Sequence, residues 1–138
     1  MRWPNRIPAK TSSDHLVSLT DFFATFSEII QETLPRDGAE DSASFLASAL
    51  GNAKAPDRAP IVNHSNHGEF AYRDGPWKLV FRNREKNQNQ CRGESRIVEL
   101  YNLNEDIAES NNLAPKNPHI VQQLTTEFDQ IVSQGASR

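Results

Sequence analysis

The chain has 138 residues, 36% of them hydrophobic, and a formal net charge of −3; its pI is near 5.8 and its mean hydropathy is −0.68. That is the size of one domain or part of one, with little apolar material for an independent core. Neither the acidic net charge nor the pI suggests nucleic-acid binding, which would need a basic stripe, and no run approaches the roughly 18 apolar residues of a membrane span.

The first eight residues, MRWPNRIP, lack the apolar stretch of a signal peptide. By default this places the chain in the cytoplasm. One cysteine, Cys91, excludes an internal disulfide.

Residues 1–13 read as an extended lead-in. Ser18 is placed to start a helix, with Asp21 at the capping-box position. Leu19, Phe22, Phe23, Phe26, Ile29 and Ile30 then recur on one helical face. The stretch from Leu34 to Gly38 stops the helix. A short second helix is expected over 44–50, with Gly51 in the left-handed position past its end. Residues 52–60 have the Ala, Pro and charge of a linker. Strands follow at 61–65, 70–73 and 77–81, the last two joined by a hairpin turn at Asp74 and Gly75. Polar residues 82–95 read as a long loop, and residues 97–101 as a fourth strand. Asn117 and Pro118 supply an N-cap and first-turn proline for a last helix. Its buried stripe is Ile120, Val121, Leu124, Phe128, Ile131 and Val132, and Gly135 ends it. The fold class is α+β.

Four clusters carry candidate chemistry. His64 and His67 have the spacing of a metal pair, but a third ligand is missing nearby; two polar residues at a strand end explain them as well. His15 and His119 flank helices and read as surface residues. Asp106, Glu109 and Asn112 lack the ligand order and central glycine of an EF-hand and read as caps of a turn. Arg82, Arg84 and Lys86 carry no interleaved aromatic and read as a solvated loop.

Residues 99–114, ELYNLNEDIAESNNLA, are a strand running into an acidic, amide-rich turn. They resemble the L-Y-D-L-x-x-D-P-x-E-x-x-N-L-A pattern near the C-terminus of sulfatases of the arylsulfatase type. Asn102 stands for the family Asp and Ile107 for the Pro. Residues 68–79, GEFAYRDGPWKL, resemble that family's G-x-x-A-x-R-x-G-x-W-K-L. Residues 2–7, RWPNRI, resemble R-W-P-G-x-I, with Asn5 for Gly. Residues 18–25 resemble S-x-x-D-L-x-P-T, and residues 41–46 resemble D-G-x-S-L-x-P without its Gly and Pro. The likeness runs along nearly the whole chain, in the family's order.

The resemblance implies a division. Residues 1–51 correspond to the tail of the large alkaline-phosphatase-like α/β domain, 52–60 to a linker, and 61–138 to the C-terminal subdomain. That subdomain is a four-stranded antiparallel sheet with a packed C-terminal helix, preceded here by one long and one short helix. In full-length members a formylglycine made in C/S-x-P-S-R attacks sulfur beside a calcium ion held by Asp and Asn oxygens. Neither the formylglycine nor the calcium site has a match in this chain. CRGESR at 91–96 has one residue too many and lacks the proline, so Cys91 reads as a free loop cysteine.

No catalytic or metal residue is therefore expected here. His64, Ser65 and His67 are the candidate substrate contacts, because a His-Ser pair stands at the cleft-facing strand end in many relatives. Arg73, Trp77 and Lys78 read as hairpin packing, with Trp77 in the core. The chain alone is expected to be non-catalytic, with a missing N-terminal sulfatase half as its partner. It is also expected to self-associate through Phe22, Phe23, Phe26, Ile29 and Ile30, and to have no nucleic-acid partner. The alternatives are one half of a split sulfatase and a module that binds sulfated glycans. Full-length relatives are mostly periplasmic or secreted.

Overall fold

The computed structural model describes residues 1–35, 38–52, 55, 58–66, 68–83 and 96–134. Its contacts divide the chain into two compact units, Met1–Ala59 and Pro60–Ser137.

The first unit holds helix α1, Asp21–Ile30, and the short helix α2, Leu46–Ala49. α1 begins three residues later than the Ser18 start expected from sequence, because Ser18, Leu19 and Thr20 are used to satisfy its first amides. Asp21, Phe22 and Phe23 N–H donate to the Ser18, Leu19 and Thr20 carbonyls. The next amide, Ala24 N–H, donates to Ser42 Oγ at 2.9 Å, and Ser42 Oγ–H donates to the Thr20 carbonyl at 2.7 Å. A helix start leaves four orphan N–H groups, so a serine eighteen residues away in sequence completes the cap. The expected capping acid is present in part: Asp21 Oδ2 accepts the Ser18 N–H at 2.7 Å. Gln31, with φ 61°, ends the helix in the left-handed region, before the stop expected at Leu34.

The buried side of α1 is not its apolar stripe. Asp21, Ala24 and Thr25 are buried, whereas Leu19, Phe23, Phe26 and Ile30 are exposed. Asp21 is the anchor. Arg58 Nε donates to its Oδ2 at 2.9 Å and Arg58 Nη2 to its Oδ1 at 2.8 Å. Ala43 N–H donates to Oδ1 at 3.0 Å. Arg58 also donates to the Asp41 and Ala59 carbonyls. Sequence assigns Arg58 to a linker, and the structure makes it one half of a buried ion pair. Gly51 takes φ +82° past α2, as its position requires.

The second unit is a four-stranded antiparallel sheet in the order β1-β2-β3-β4. The strands are β1 Ile61–His64, β2 Phe70–Asp74, β3 Trp77–Asn83 and β4 Arg96–Asn102. β3 extends past the expected end at Phe81, so Arg82 belongs to a strand and not to a solvated loop; Arg84, Lys86 and Cys91 lie outside the described residues. β2 and β3 pair from Asp74↔Trp77 outward, so the tight turn is Gly75-Pro76. Gly75 adopts φ +51°, which a two-residue hairpin turn demands at its first position.

Register separates the two faces. Val62, Tyr72, Leu79 and Leu100 align on one face. Helix α3, Pro118–Gln134, lies on it with Leu124 and Phe128 buried. Tyr72, Leu79, Phe81 and Leu100 complete the core, and Trp77, Ile120, Val121 and Ile131 pack around it. Val132, expected in the stripe, is exposed. Phe128 sits against Phe81 at 4.6 Å and Phe70 at 5.7 Å between ring centroids. The Tyr72 hydroxyl donates to Glu127 Oε2 at 3.1 Å; burial and that carboxylate together push its ionisation well above the ordinary range.

Burial alone would raise the Asp21 pKa. The hydrogen bonds from Arg58, Ala43 and Ser18 and the Arg58 charge outweigh it, and hold the carboxyl below its ordinary 3.8. Its stabilising contribution is therefore complete above that value and is lost as the pH falls through the lower, folded value. Asp21→Asn leaves Arg58 buried without its counter-charge and should destabilise the first unit by about 3–5 kcal/mol at neutral pH. Thermal unfolding of the two proteins across acid pH checks both points, since the loss should shrink as Asp21 protonates.

Candidate functional site

The face of the sheet opposite α3 carries the charged side chains. Register places Lys78 beside Arg73 and Tyr101, and Val80 beside Ala71 and Glu99. Arg82 Nε donates to Glu99 Oε2 at 2.5 Å, and Arg82 Nη1 is 3.8 Å from Glu69 Oε2. The Tyr101 hydroxyl donates to the same Glu99 oxygen at 3.0 Å. The Glu99 hydrogen bond, partly opposed by burial, raises the Arg82 pKa. Burial first, then Glu99, raises that of Tyr101.

Lys78 Nζ donates to Glu109 Oε1 at 2.6 Å. This contact joins two segments 31 residues apart. Lys78 comes from the W-K-L of the hairpin and Glu109 from the acidic turn after β4. The same turn is held in two further ways. Asp106 Oδ2 accepts the Ser110 and Asn111 N–H groups at 2.7 and 2.8 Å. Asn112 Oδ1 accepts the Leu100 and Ala114 N–H groups at 3.1 and 2.9 Å. Asp106 and Asn112 are the turn caps expected from sequence. Glu109 is the strand anchor, which a sequence reading of the turn alone does not reveal. It holds φ 56°, in the left-handed region that non-glycine residues adopt at a cost.

A groove of ≈ 290 Å³ runs along this face, lined by Asn63, Ser65, Glu69, Ala71, Lys78 and Val80 among others. His64 borders it at the end of β1. Strand alternation puts the His64 side chain on the α3 side, where its ring stacks on Phe70 at 4.5 Å and a 39° tilt. Ser65 organises the β1–β2 turn. Its N–H donates to the Glu69 carbonyl at 2.8 Å, and its Oγ accepts the Glu69 N–H at 3.1 Å. The structure thus brings His64 and Ser65 to the groove's end, while His67 lies outside the described residues. Trp77 packs on the core as expected. Arg73 Nε donates to the Gly75 carbonyl within the hairpin at 3.3 Å. Among the described residues no three His, Cys, Asp or Glu side chains converge to hold a metal ion. Among them no helix is long and apolar enough to cross a membrane.

Comparison with known proteins fits this geometry. The chain is 29% identical over 136 residues to an N-acetylgalactosamine-6-O-sulfatase of Bacteroides thetaiotaomicron, covering 95% of this chain and 26% of that protein. A solved Bacteroides thetaiotaomicron 6S-sulf protein, from the metabolism of multiple glycosaminoglycans, superimposes with a TM-score of 0.64 at 29% identity. It covers 80% of this chain and 24% of its own. A protein solved with its substrate D-glucosamine-2-N,6-O-disulfate shares the fold, with a TM-score of 0.72 at 19% identity over 96% of this chain and 27% of its own. The chain therefore spans about a quarter of the length of these relatives. No family model matches it.

Glu109→Ala should lose the ion pair and keep the backbone strain, whereas Glu109→Gly should lose the pair and relieve it. The pair is three-quarters buried at Lys78 and about as well covered at Glu109. Its loss should therefore cost about 1 kcal/mol, with the glycine variant the more stable of the two by about 1 kcal/mol. Urea unfolding of the two variants beside the parent measures the order.

Proposed function

We propose that the chain is a C-terminal fragment of a sulfatase, the tail of its large domain plus its C-terminal subdomain, from an enzyme that hydrolyses sulfate esters of amino sugars, and that it is inactive in isolation. The observation that carries this reading is the match along 95% of the chain to an N-acetylgalactosamine-6-O-sulfatase. The substrate of the disulfated-glucosamine neighbour points to the same class.

In this reading the subdomain shapes the sugar end of the site. His64 and Ser65 stand at the exposed end of β1, with His64 held by its stack on Phe70 and Ser65 by the turn it caps. His67 is assigned with them from the sequence. Sulfur chemistry belongs to residues outside this chain: the formylglycine nucleophile and the oxygen ligands of a calcium ion. The apolar side of α1 is the surface the rest of the enzyme covers. Burying a large apolar side chain is worth about 1.5–3 kcal/mol. An uncovered row of them drives association.

Two experiments test the reading. The purified chain should not hydrolyse an aryl sulfate above background, with or without calcium. Turnover that survives repurification and disappears in His64→Ala would overturn it. Light scattering should show association that grows with concentration and is suppressed by Phe23→Ser with Phe26→Ser, two exposed positions on α1. A sharp monomer at all concentrations would contradict the role given to that face.

A further inference from the structure

The groove over β2 and β3 has a composition unlike a sulfate site. Its floor is aliphatic, from Ala71 and the buried Val80. Its rim is charged, yet among the described residues each cation lining it faces a carboxylate. Lys78 is held by Glu109, and Arg82 by Glu99 and Glu69. Among the described residues of the lining, the two cations Lys78 and Arg82 stand against the two carboxylates Glu69 and Glu109, and Glu99 holds Arg82 from outside it. A sulfate group entering here would find both cations already paired and would have to displace a carboxylate to gain one.

A hydroxyl group has no such conflict. An ammonium carries three donors and a guanidinium five, more than these ion pairs use, and a carboxylate accepts on both oxygens. Asn63 adds a group that both donates and accepts at the groove's side. An aliphatic floor with a rim of fixed donors and acceptors matches a sugar ring. Such a ring presents C–H groups on its face and hydroxyls at its edge. The volume of ≈ 290 Å³ lies at the small end of ligand sites and suits one ring, not a chain of them.

We propose that this groove binds a single uncharged sugar unit of the substrate, with Ala71 and Val80 beneath its ring and Asn63, Lys78 and Glu69 on its hydroxyls. The inference rests on the reading of the chain as part of an amino-sugar sulfatase, and adds that a non-sulfated unit is recognised apart from the sulfated one.

The test is a two-dimensional NMR titration of the isotope-labelled chain with N-acetylgalactosamine and, separately, with its 6-O-sulfate. The neutral sugar should shift the amides of Ala71, Lys78 and Val80. The sulfated sugar should bind there no more tightly, and added salt should not weaken the neutral sugar. Ala71→Leu, which fills the floor, should weaken binding about tenfold. Asn63→Ala, at the exposed edge strand, should weaken it as well without disturbing the fold. If the neutral sugar leaves these amides unmoved up to its solubility limit, the proposal fails. It also fails if the sulfated sugar binds more than about tenfold tighter with strong salt dependence. Either failure leaves the absence of sulfate-ester hydrolysis by the chain untouched, so the two readings fall separately.

Discussion

The turn that leaves β4 is the constraint on which the second unit depends. α3 must return across the sheet to cover Tyr72, Leu79, Phe81 and Leu100. The chain therefore has to reverse within the residues between Asn102 and Pro118. Fixing a turn without regular structure costs about 1–2 kcal/mol of backbone entropy per residue. Three side chains offset that cost. Asp106 closes the turn on itself, Asn112 ties it to the backbone of β4, and Glu109 ties it to Lys78 on β3. The Leu113 N–H then donates to the Leu100 carbonyl at 2.8 Å, which extends the pairing edge of β4 to the entry of α3.

The first unit is built on the opposite principle. Its α1 presents a polar side inward, around the Asp21–Arg58 pair, and leaves aromatic side chains outward. A buried ion pair returns little net stability but is costly to break, so it specifies one arrangement of α1, Ser42 and the segment around Arg58. The exposed Phe23 and Phe26 leave an apolar stripe on the side of α1 away from that pair.

The existence of the four strands, the hairpin between the second and third, and the extent of α3 were legible because each rests on a local signal. Alternation marked β2 and β3, Gly75 marked the turn, and Asn117 with Pro118 marked the start of α3. The partners of α1 were not legible. Asp21 reads locally as a helix cap, and nothing near Arg58 announces a salt bridge across 37 residues. The extension of β3 through Arg82 was hidden because Arg82 is polar, and its place is set by pairing with Ile97. At the candidate site, His64, Ser65 and His67 were named from the family likeness. The pairing of Lys78 with Glu109 was not found, although both residues stand in the two segments that carry that likeness. A spacing of 31 residues has no period to read; only register across β3 and β4 brings the pair together.

Amide hydrogen exchange of the intact chain, resolved residue by residue, tests the central claim most directly. If the turn is clamped to the sheet, the Leu100 and Leu113 amides should exchange as slowly as those of Leu79 and Phe81, and Asn112→Ala should speed both selectively. If Leu100 and Leu113 exchange as fast as exposed loop amides in the parent protein, the turn is not held by these contacts, and the account of how α3 is placed on the sheet is wrong.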